Sequence, residues 1–212
     1  MSVCEIFGLS ALGGYILGSI PFGLVLCYLA GYGDIRKIGS GNIGATNVLR
    51  TGNKTLALLT VILDASKAGL AAYIAQKAAA DTAYNFWGLA TTYSTLAALI
   101  AGTCAILGHN FPIWLKFRGG KGVASAFGFV LVLTPKIALL ALLIWLIMAV
   151  LFRYSSLAAI TAVLFVPFFT YYISDEIHTI FYTFIVLLIL VRHHANFVRL
   201  FKGEESKIKF KK

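Results

Sequence analysis

The segment G-S-G-N-I-G-A-T-N-V-L-R at residues 39–50 is polar and rich in glycine, and strongly apolar sequence borders it on both sides. Polar groups beside a bilayer need partners, so such a segment is costly to keep there. Glycine lets a backbone turn its N–H groups toward an anion. With Ser40 as a helix N-cap, Asn42, Thr46 and Arg50 recur every four residues on one face. That face suits a phosphate or a carboxylate. A well-capped loop that only permits tight helix packing is an equally good interpretation of the segment alone.

The composition indicates an all-α polytopic membrane protein, and we expect one domain over residues 1–212. Of the 212 residues 59% are hydrophobic and 12% are charged, and the mean hydropathy is +0.87. These values exclude an ordinary soluble domain. The apolar run from Val3 to about Ala30 is too long for the core of a signal peptide and has no basic region before it. We therefore expect it to be a retained membrane span.

Seven apolar segments predict seven transmembrane helices. They cover roughly residues 3–31, 55–78, 86–108, 122–134, 136–152, 156–173 and 177–195. The fourth segment is short, and Pro135 separates it from the fifth. Five spans, without these two segments, are therefore the alternative topology.

The basic residues indicate which side of the membrane the connecting segments face. Of the 18 Lys and Arg, 15 fall in four places: residues 34–54, residues 109–122, Arg153 and residues 192–212. Under the positive-inside rule these segments face the cytoplasm, with the N-terminus outside and the C-terminus cytoplasmic. The distribution argues against nucleic acid as the partner of this charge. The basic tail from Lys207 to Lys212 is expected to be solvated and to attract anionic lipid heads.

A second polar segment, G-H-N-F-P-I-W-L-K-F-R-G-G-K-G-V-A, occupies residues 108–124. Gly119, Gly120 and Gly122 surround Lys121 just before an apolar helix, which predicts a re-entrant-like glycine loop that binds a phosphate. A Walker A loop is excluded, because Gly122 follows Lys121 where Ser or Thr would bind magnesium. A basic turn at the membrane surface is the alternative.

Two further polar segments lie in the C-terminal half of the chain. The first, R-Y-S-S-L at residues 153–157, opens the sixth span, and a serine N-cap explains it without a function. The second, R-H-H-A-N-F-V-R-L-F-K-G-E-E, fills residues 192–205. His193 and Asn196 are three residues apart, so we expect them to share a helical face.

The histidines and cysteines do not predict a metal site. His193 and His194 are adjacent and point apart on a helix, and no further ligand lies at metal-binding spacing. Cys4, Cys27 and Cys104 lie in apolar surroundings without C-x-x-C spacing, so we expect small core residues and neither a disulfide framework nor a zinc site.

Asp64 and Lys67 are charged residues inside the second predicted span. Their spacing lets them pair, and intramembrane charges are costly enough to need a reason. They form either a structural pair, which we favour, or a support for Arg50 and Lys121.

Two function classes fit the four polar segments. One is an enzyme that joins a phosphorylated soluble substrate to a lipid-borne one at the cytoplasmic interface. The other is an anion transporter, whose site would lie near the midplane of an internally repeated fold. The phosphate-compatible segments gather at one face and no repeat relates the halves, which favours the enzyme. An acyl-enzyme intermediate would need an activated Cys or a Ser–His pair, and the cysteines lie outside the polar segments, which counts against them.

Several motifs of the chain resemble one family. The motifs are G-S-I-P-F-G at 18–23, S-G-N-I-G-A-T-N-V-L-R at 40–50, G-H-N-F-P at 108–112, G-G-K-G-V-A at 119–124, R-Y-S-S-L at 153–157, R-H-x-x-N at 192–196 and G-x-E at 203–205. In this order they resemble the bacterial membrane acyl-phosphate:glycerol-3-phosphate acyltransferases, over nearly the whole chain.

The resemblance implies a reaction and its partners. The fatty acyl group of an acyl phosphate passes to the sn-1 hydroxyl of glycerol-3-phosphate, giving lysophosphatidate and inorganic phosphate, in the first acylation of bacterial phospholipid synthesis. It implies a multi-pass protein of the bacterial inner membrane whose active site faces the cytoplasm. No cofactor and no metal are implied. Membrane lipids, and the soluble enzyme that supplies acyl phosphate, are the further partners.

The resemblance also implies roles for individual residues. Glycerol-3-phosphate would be held by Ser40, Arg50 and Lys121. The substrate-binding set further includes Gly41, Gly119, Gly120, Gly122 and Glu205, with the role of the glutamate left open. The site around the acyl phosphate and its carbonyl would be lined by Asn42, Thr46, Ser155 or Ser156, His193 and Asn196.

Overall fold

The computed structural model describes residues 2–208, which divide into an N-terminal unit ending at Leu133 and a C-terminal unit beginning at Thr134. The described residues form ten α-helices and a two-stranded antiparallel sheet. The helices of the N-terminal unit are α1 (Val3–Gly18), α2 (Phe22–Leu29), α3 (Ala45–Val48), α4 (Lys54–Ala78), α5 (Tyr93–Asn110) and α6 (Val123–Leu133), and its strands are β1 (Ala83–Phe86) and β2 (Leu89–Thr92). The helices of the C-terminal unit are α7 (Pro135–Phe152), α8 (Ser155–Ile173), α9 (Glu176–Arg192) and α10 (His194–Phe201).

Five helical stretches in the described part of the chain are long and apolar enough to cross a membrane. They are Val3–Leu29, Lys54–Ala78, Tyr93–Leu115, Pro135–Phe152 and Ser155–Ile173. A sixth is added if α9 and α10, which are bent by 55° at His193, count as one span. The chain is therefore a multi-pass helical membrane protein.

The count of seven spans is not confirmed. The fourth apolar segment forms α6, whose 11 residues extend about 16 Å, against a hydrocarbon core of about 30 Å. The fifth segment, which the five-span alternative omits, forms the 18-residue α7 and qualifies as a span by length and hydropathy. The orientation of the termini and the single-domain interpretation stay predictions.

Close helix contacts in the N-terminal unit depend on glycine. A methyl group on Gly18 of α1 would overlap the backbone of Ala105 in α5, and one on Gly128 of α6 would overlap the backbone of Ala65 in α4. In lipid, small residues let helix backbones approach closely and so gain packing energy. The contact at Gly128 places the short α6 against the middle of α4.

The first span is broken between α1 and α2. Helix α1 ends with Ser19 as its C-cap, and α2 begins after Pro21. Proline has no N–H group to donate and its ring clashes with the preceding turn, so the helix cannot continue through it.

A β-hairpin that was not predicted from the sequence precedes α5. The third apolar segment was expected to begin at residue 86, but α5 begins at Tyr93 and ends at Asn110. Trp87 and Gly88 have positive φ angles of 52° and 90°, which make the tight turn between β1 and β2. The turn reverses the chain and lets Tyr84 contact Tyr93, with ring centroids 4.5 Å apart.

Helices α7, α8 and α9 pack in sequence order in the C-terminal unit. The hydroxyls of Thr134, which precedes α7, and Tyr182 of α9 lie 2.9 Å apart and pair inside this unit. A buried Tyr hydroxyl needs such a partner, because no water replaces it in the bilayer.

Candidate functional site

The first polar loop, residues 39–50, is organised by the buried amide of Asn47. Its Oδ1 accepts hydrogen bonds from the backbone N–H of Ser40 at 3.1 Å and from the Ser40 hydroxyl at 3.3 Å. Its Nδ2 donates to the carbonyls of Ile35 at 2.7 Å and Asn42 at 2.8 Å. One buried amide thereby joins three parts of the chain and fixes the position of Ser40.

The expected helix beginning at Ser40 is wrong. Helix α3 begins at Ala45, with Gly44 as its N-cap, and Asn42 lies before it, outside any helix. Asn42, Thr46 and Arg50 therefore do not form one helical face. The N–H and hydroxyl of Ser40 both donate to Asn47 Oδ1, which keeps Ser40 in the loop ahead of α3.

Arg50 lies in a short 3₁₀-helix, Leu49–Thr51, that follows α3. Its side chain passes over Gly39, where a methyl group would overlap it. Gly39 also has a positive φ of 56°, so both its conformation and this close approach require glycine. The loop thus brings Arg50 beside the residue that precedes Ser40.

A second arginine near this loop is neutralised by an ion pair. Arg36 Nη2 lies 2.6 Å from Asp34 Oδ2, and its Nε also donates to the same carboxylate. The hydrogen bond from Arg36 lowers the pKa of Asp34 to about 2. Arg36 is therefore a poor candidate for anion binding, which leaves Arg50 as the arginine of interest in this region.

The glycine loop, residues 119–122, lies against the end of α5. The backbone N–H groups of Gly119 and Gly120 donate to the carbonyls of Asn110 at 3.1 Å and His109 at 3.0 Å. The carbonyl of Gly122, the residue just before α6, accepts from the Ala126 N–H at 2.8 Å and so makes a helical hydrogen bond with the first turn of α6. The glycine loop therefore lies immediately before a helix, while its re-entrant character and its binding of a phosphate stay predictions.

These contacts refine what each glycine can do. Since the N–H groups of Gly119 and Gly120 already donate to α5, these glycines shape the loop rather than offer donors to an anion. The N–H groups of the first turn of α6 lack helical partners and carry its positive dipole end. Gly122, which links the loop to α6, has a φ of 86°. Lys121 precedes it and is half-buried, so a cationic residue lies two positions before the first residue of α6.

A buried triad of Asp64, Lys67 and His109 underlies the glycine loop. Lys67 Nζ lies 3.0 Å from Asp64 Oδ1 and 2.9 Å from His109 Nδ1. The predicted pairing of Asp64 with Lys67 is confirmed, and His109 is an addition that spacing along the chain could not reveal.

The first polar loop and the segment leading to the glycine loop meet through an apolar cluster. Leu115 packs against this cluster, which includes Ile43 and Val48 of the first loop; its other members are Leu24, Cys27, Ile35 and Ala57. Both phosphate-compatible segments therefore lie at the same end of the N-terminal unit.

A second polar centre in the C-terminal unit is built on the carboxylate of Glu205. Its Oε1 accepts hydrogen bonds from Ser156 Oγ and from Asn196 Nδ2, both at 2.7 Å. Its Oε2 accepts from Arg199 Nε at 2.6 Å. Burial alone would raise the pKa of Glu205, but the bonds from Ser156, Arg199 and Asn196 outweigh burial, so its pKa lies below the ordinary value.

The chain end near this centre is tied to the start of α8. Ile208 N–H donates to the Arg153 carbonyl at 2.6 Å, and the Arg153 guanidinium donates back to the Ile208 carbonyl. Lys207 Nζ lies 5.6 Å from the centroid of the Tyr154 ring. Lys207 and Ile208, at the start of the tail that was expected to be solvated, therefore contact the start of α8. The rest of the tail, 209–212, lies outside the described residues.

The expected serine N-cap of the sixth span is wrong. Helix α8 begins at Ser155 with Tyr154 as N-cap, and no side chain caps it. The hydroxyl of Ser156 instead donates to Glu205. Ser155 and Ser156 are the first two residues of α8, so neither stands at the N-cap position, and the Ser156 hydroxyl instead makes a charge-assisted hydrogen bond.

His193 lies at the break between α9 and α10, so it and Asn196 do not share one continuous helical face. They remain linked, because the Asn196 N–H donates to the His193 carbonyl at 2.8 Å. His193 Nδ1 donates to the Ile189 carbonyl at 2.8 Å, which places the proton of a neutral ring on Nδ1 and makes Nε2 the acceptor. His193 is buried and His194 is exposed, as expected for adjacent histidines.

The cysteines fit the expected small core residues only in part. Cys27 is buried, Cys104 is half-buried and Cys4 is exposed. None of the three belongs to the hydrogen-bond network of Asn47 in the first polar loop or to that of Glu205 in the C-terminal unit.

Two residues that shape these sites, His109 and Arg199, were not predicted from the sequence, whereas Asn47 was counted among the polar groups of segment 39–50. His109 falls within the polar segment 108–124, so polarity beside apolar spans was the available signal. Arg199 lies three residues after Asn196, which is the spacing of neighbours on a helix.

Taken together, the fold and the two polar centres define a multi-pass helical membrane protein with anion-compatible loops at the ends of its spans. The sequence profile of the family described as glycerol-3-phosphate acyltransferase matches residues 8–203. The chain belongs to this family.

Curated relatives are similar over nearly the full length. The glycerol-3-phosphate acyltransferase of Rhodospirillum rubrum is 50% identical over 207 residues, covering 98% of this chain and 93% of the relative. That of Maricaulis maris is 51% identical over 203 residues, covering 96% and 88%.

Two solved structures resemble the fold. Both are of PlsY (YgiH), described as an integral membrane glycerol 3-phosphate acyltransferase, and each is 35% identical to this chain. The glycerol 3-phosphate form has a TM-score of 0.84 and covers 96% of both chains. The lysophosphatidic acid form has a TM-score of 0.83, covering 96% of this chain and 95% of the other. The transporter alternative receives no support.

Proposed function

We propose that this protein transfers a fatty acyl group from an acyl phosphate to the sn-1 hydroxyl of glycerol-3-phosphate, in the first acylation of phospholipid synthesis. The observation that carries the proposal is the likeness, across 96% of both chains, to an acyltransferase structure in its glycerol 3-phosphate form. The products are lysophosphatidate and inorganic phosphate.

Ser40, Arg50 and Lys121 bind the phosphate of glycerol-3-phosphate in this proposal. Asn47 fixes Ser40 by two hydrogen bonds, and Lys121 accompanies the positive end of α6. Gly41 and Gly122 belong to the same substrate-binding set. Both have positive φ angles, 68° and 86°, that glycine adopts without strain.

The acyl phosphate and its reacting carbonyl are bound by Asn42, Thr46, Ser155 or Ser156, His193 and Asn196. The carboxylate of Glu205 fixes the orientation of Ser156 and Asn196 by accepting a hydrogen bond from each. Glu205 is therefore proposed as a positioning residue, since both its oxygens are engaged and its charge would repel an anionic substrate.

The chemistry needs no covalent nucleophile from the protein, because an acyl phosphate is already an activated mixed anhydride. The sn-1 hydroxyl oxygen attacks the acyl carbonyl carbon, and the bond from that carbon to the phosphate oxygen breaks. The hydroxyl proton passes to a phosphate group, so an ester and hydrogen phosphate leave. Positioning two anions and stabilising the tetrahedral oxyanion supply most of the rate.

The proposed location is the bacterial inner membrane, with the N-terminus outside and the site facing the cytoplasm. The cytoplasmic side is supported by the clusters of Lys and Arg in the connecting segments. A soluble enzyme that supplies acyl phosphate would then reach the site from the same side.

The test is an assay of purified protein in detergent with palmitoyl phosphate and glycerol-3-phosphate, following lysophosphatidate and phosphate. We expect equal release of the two products, and no lysophosphatidate when palmitoyl-CoA replaces palmitoyl phosphate. Turnover with palmitoyl-CoA alone would contradict the proposed donor. Detergent removes any sealed compartment, so transport cannot produce this signal.

A further inference from the structure

The buried triad is the feature of the N-terminal unit that the proposed chemistry does not use. Asp64, Lys67 and His109 are 3%, 2% and 4% exposed. A lysine ammonium has three N–H groups, and three acceptor atoms lie within 3.0 Å of Lys67 Nζ. They are Asp64 Oδ1 at 3.0 Å, His109 Nδ1 at 2.9 Å and the Ile20 carbonyl at 2.8 Å. Lys67 thus connects α4 to the α1–α2 break and to the end of α5.

Charges inside a membrane protein are costly, and a buried ion pair is weak evidence for stability. Pairing with Asp64 would explain the charge of Lys67, but it would not require the contacts to Ile20 and His109. Those two contacts reach elements outside α4. They point to a role in fixing how these elements meet.

The contact with His109 reaches the glycine loop. A lysine ammonium only donates, so Nδ1 of His109 is the acceptor and the proton of the neutral ring lies on Nε2. The Nε2 edge faces Gly120, where a methyl group would overlap the ring. The His109 carbonyl accepts the Gly120 N–H at 3.0 Å. Gly120 therefore contacts both the backbone and the ring of His109, and the residue after it is Lys121.

We infer that Lys67 is a positioning residue for glycerol-3-phosphate, acting through His109 on the glycine loop. By fixing the rotation of the imidazole, Lys67 fixes the surface on which Gly120 rests and so the position of Lys121. The inference rests on the proposed function, because it assigns the glycine loop to glycerol-3-phosphate.

Three variants test this role. Lys67→Met removes the ammonium and leaves the buried Asp64 beside the His109 ring, whose Nδ1 lies 3.6 Å from Oδ1, so loss of the ion pair is destabilising. The double variant Asp64→Asn/Lys67→Met removes both charges and keeps similar side-chain volumes. Lys77→Met is the matched control: it changes the same residue type in the same helix, at an exposed position whose ammonium contacts the Tyr73 ring.

The readout is the KM for each substrate in detergent, beside the thermal midpoint. We expect the double variant to fold and its KM for glycerol-3-phosphate to rise about 10- to 100-fold, while the KM for palmitoyl phosphate changes less than about twofold. Lys77→Met should match the wild type in both. A merely structural role would lower the amount of folded protein without separating the two KM values.

Several results would overturn the inference. They are an unchanged KM for glycerol-3-phosphate in the double variant, equal rises in both KM values, or failure of both Lys67 variants to fold while Lys77→Met folds. The rise in thermal midpoint on adding glycerol-3-phosphate gives its binding without any acyl donor. A wild type that binds glycerol-3-phosphate but does not use palmitoyl phosphate would contradict the proposed donor, while binding lost in the double variant would still support the positioning role.

Discussion

Glu205→Gln tests whether one carboxylate fixes the polar centre of the C-terminal unit. The Gln side chain has the same shape and one remaining carbonyl oxygen, so it can still accept from Ser156 and Asn196. Its amide nitrogen would face Arg199 Nε, which places a donor against a donor where a bond of 2.6 Å exists now. A hydrogen bond to a charged group contributes about 1.5–3 kcal/mol. The Arg199 side chain is 33% exposed, so solvent screening reduces the expected loss to about 1–2 kcal/mol.

The dependence on pH follows from the lowered pKa of Glu205. The ordinary value is 4.5, and the folded-state value lies below it. A carboxyl group with a lowered folded pKa contributes stability that is fully present above the unfolded value and is lost as pH falls through the folded value. The wild type should therefore be more stable than Glu205→Gln above pH 4.5, and the difference should shrink as the pH falls further.

The assay is the thermal midpoint of each protein in detergent from pH 7 to pH 4, where a loss of about 1–2 kcal/mol corresponds to about 2–8 °C. Glu204→Gln is the matched control, because Glu204 is exposed and only its backbone N–H bonds to Arg199. It should leave the midpoint unchanged. A Glu205→Gln midpoint equal to the wild type at pH 7, or a deficit that persists unchanged at pH 4, would refute the reasoning.

Three further predictions concern activity. Gly120→Ala should lower kcat/KM for glycerol-3-phosphate about 100-fold, because the added methyl overlaps the His109 ring and displaces the loop by about 1 Å. The control is Gly13→Ala, whose added methyl meets nothing within 4 Å and which should match the wild type. Arg50→Ala and Lys121→Ala should each leave a folded protein that needs far more glycerol-3-phosphate and loses about 100- to 1,000-fold in rate; near-normal kinetics in both would contradict the site assignment. Replacing all three cysteines by Ala should keep activity within about threefold, since no thioester intermediate is expected; abolished activity would revive one.

Local spacing along the chain predicted the features that depend on neighbours in sequence. Asp64 and Lys67 are three residues apart in a helix, and the structure pairs them at 3.0 Å. Gly122 precedes an apolar run, and α6 begins at the next residue. Both predictions succeeded because one helical turn decides them.

The predictions that failed were decided by contacts between distant parts of the chain. Ser40 was expected to cap a helix, but Asn47 bonds to its N–H and hydroxyl. A serine was expected to cap the sixth span, but α8 begins at Ser155 and Ser156 bonds to Glu205, which is 49 positions away. A capping rule considers only neighbours in sequence, and these hydroxyls donate to partners that such a rule does not include.

The same physical reason explains why the polar segments could be recognised in the sequence, whereas the hydrogen-bond partners of their side chains could not. A bilayer offers no water to a polar group, so each group that remains near it must be satisfied within the protein. In the first loop Asn47 satisfies Ser40, Asn42 and the Ile35 carbonyl, and in the C-terminal unit Glu205 satisfies Ser156, Asn196 and Arg199. Each centre therefore has a buried amide or carboxylate that orients the residues proposed to contact substrate. Substitutions of Asn47 or Glu205 should accordingly lower activity through their neighbours, which is how an orienting group differs from one that binds the substrate itself.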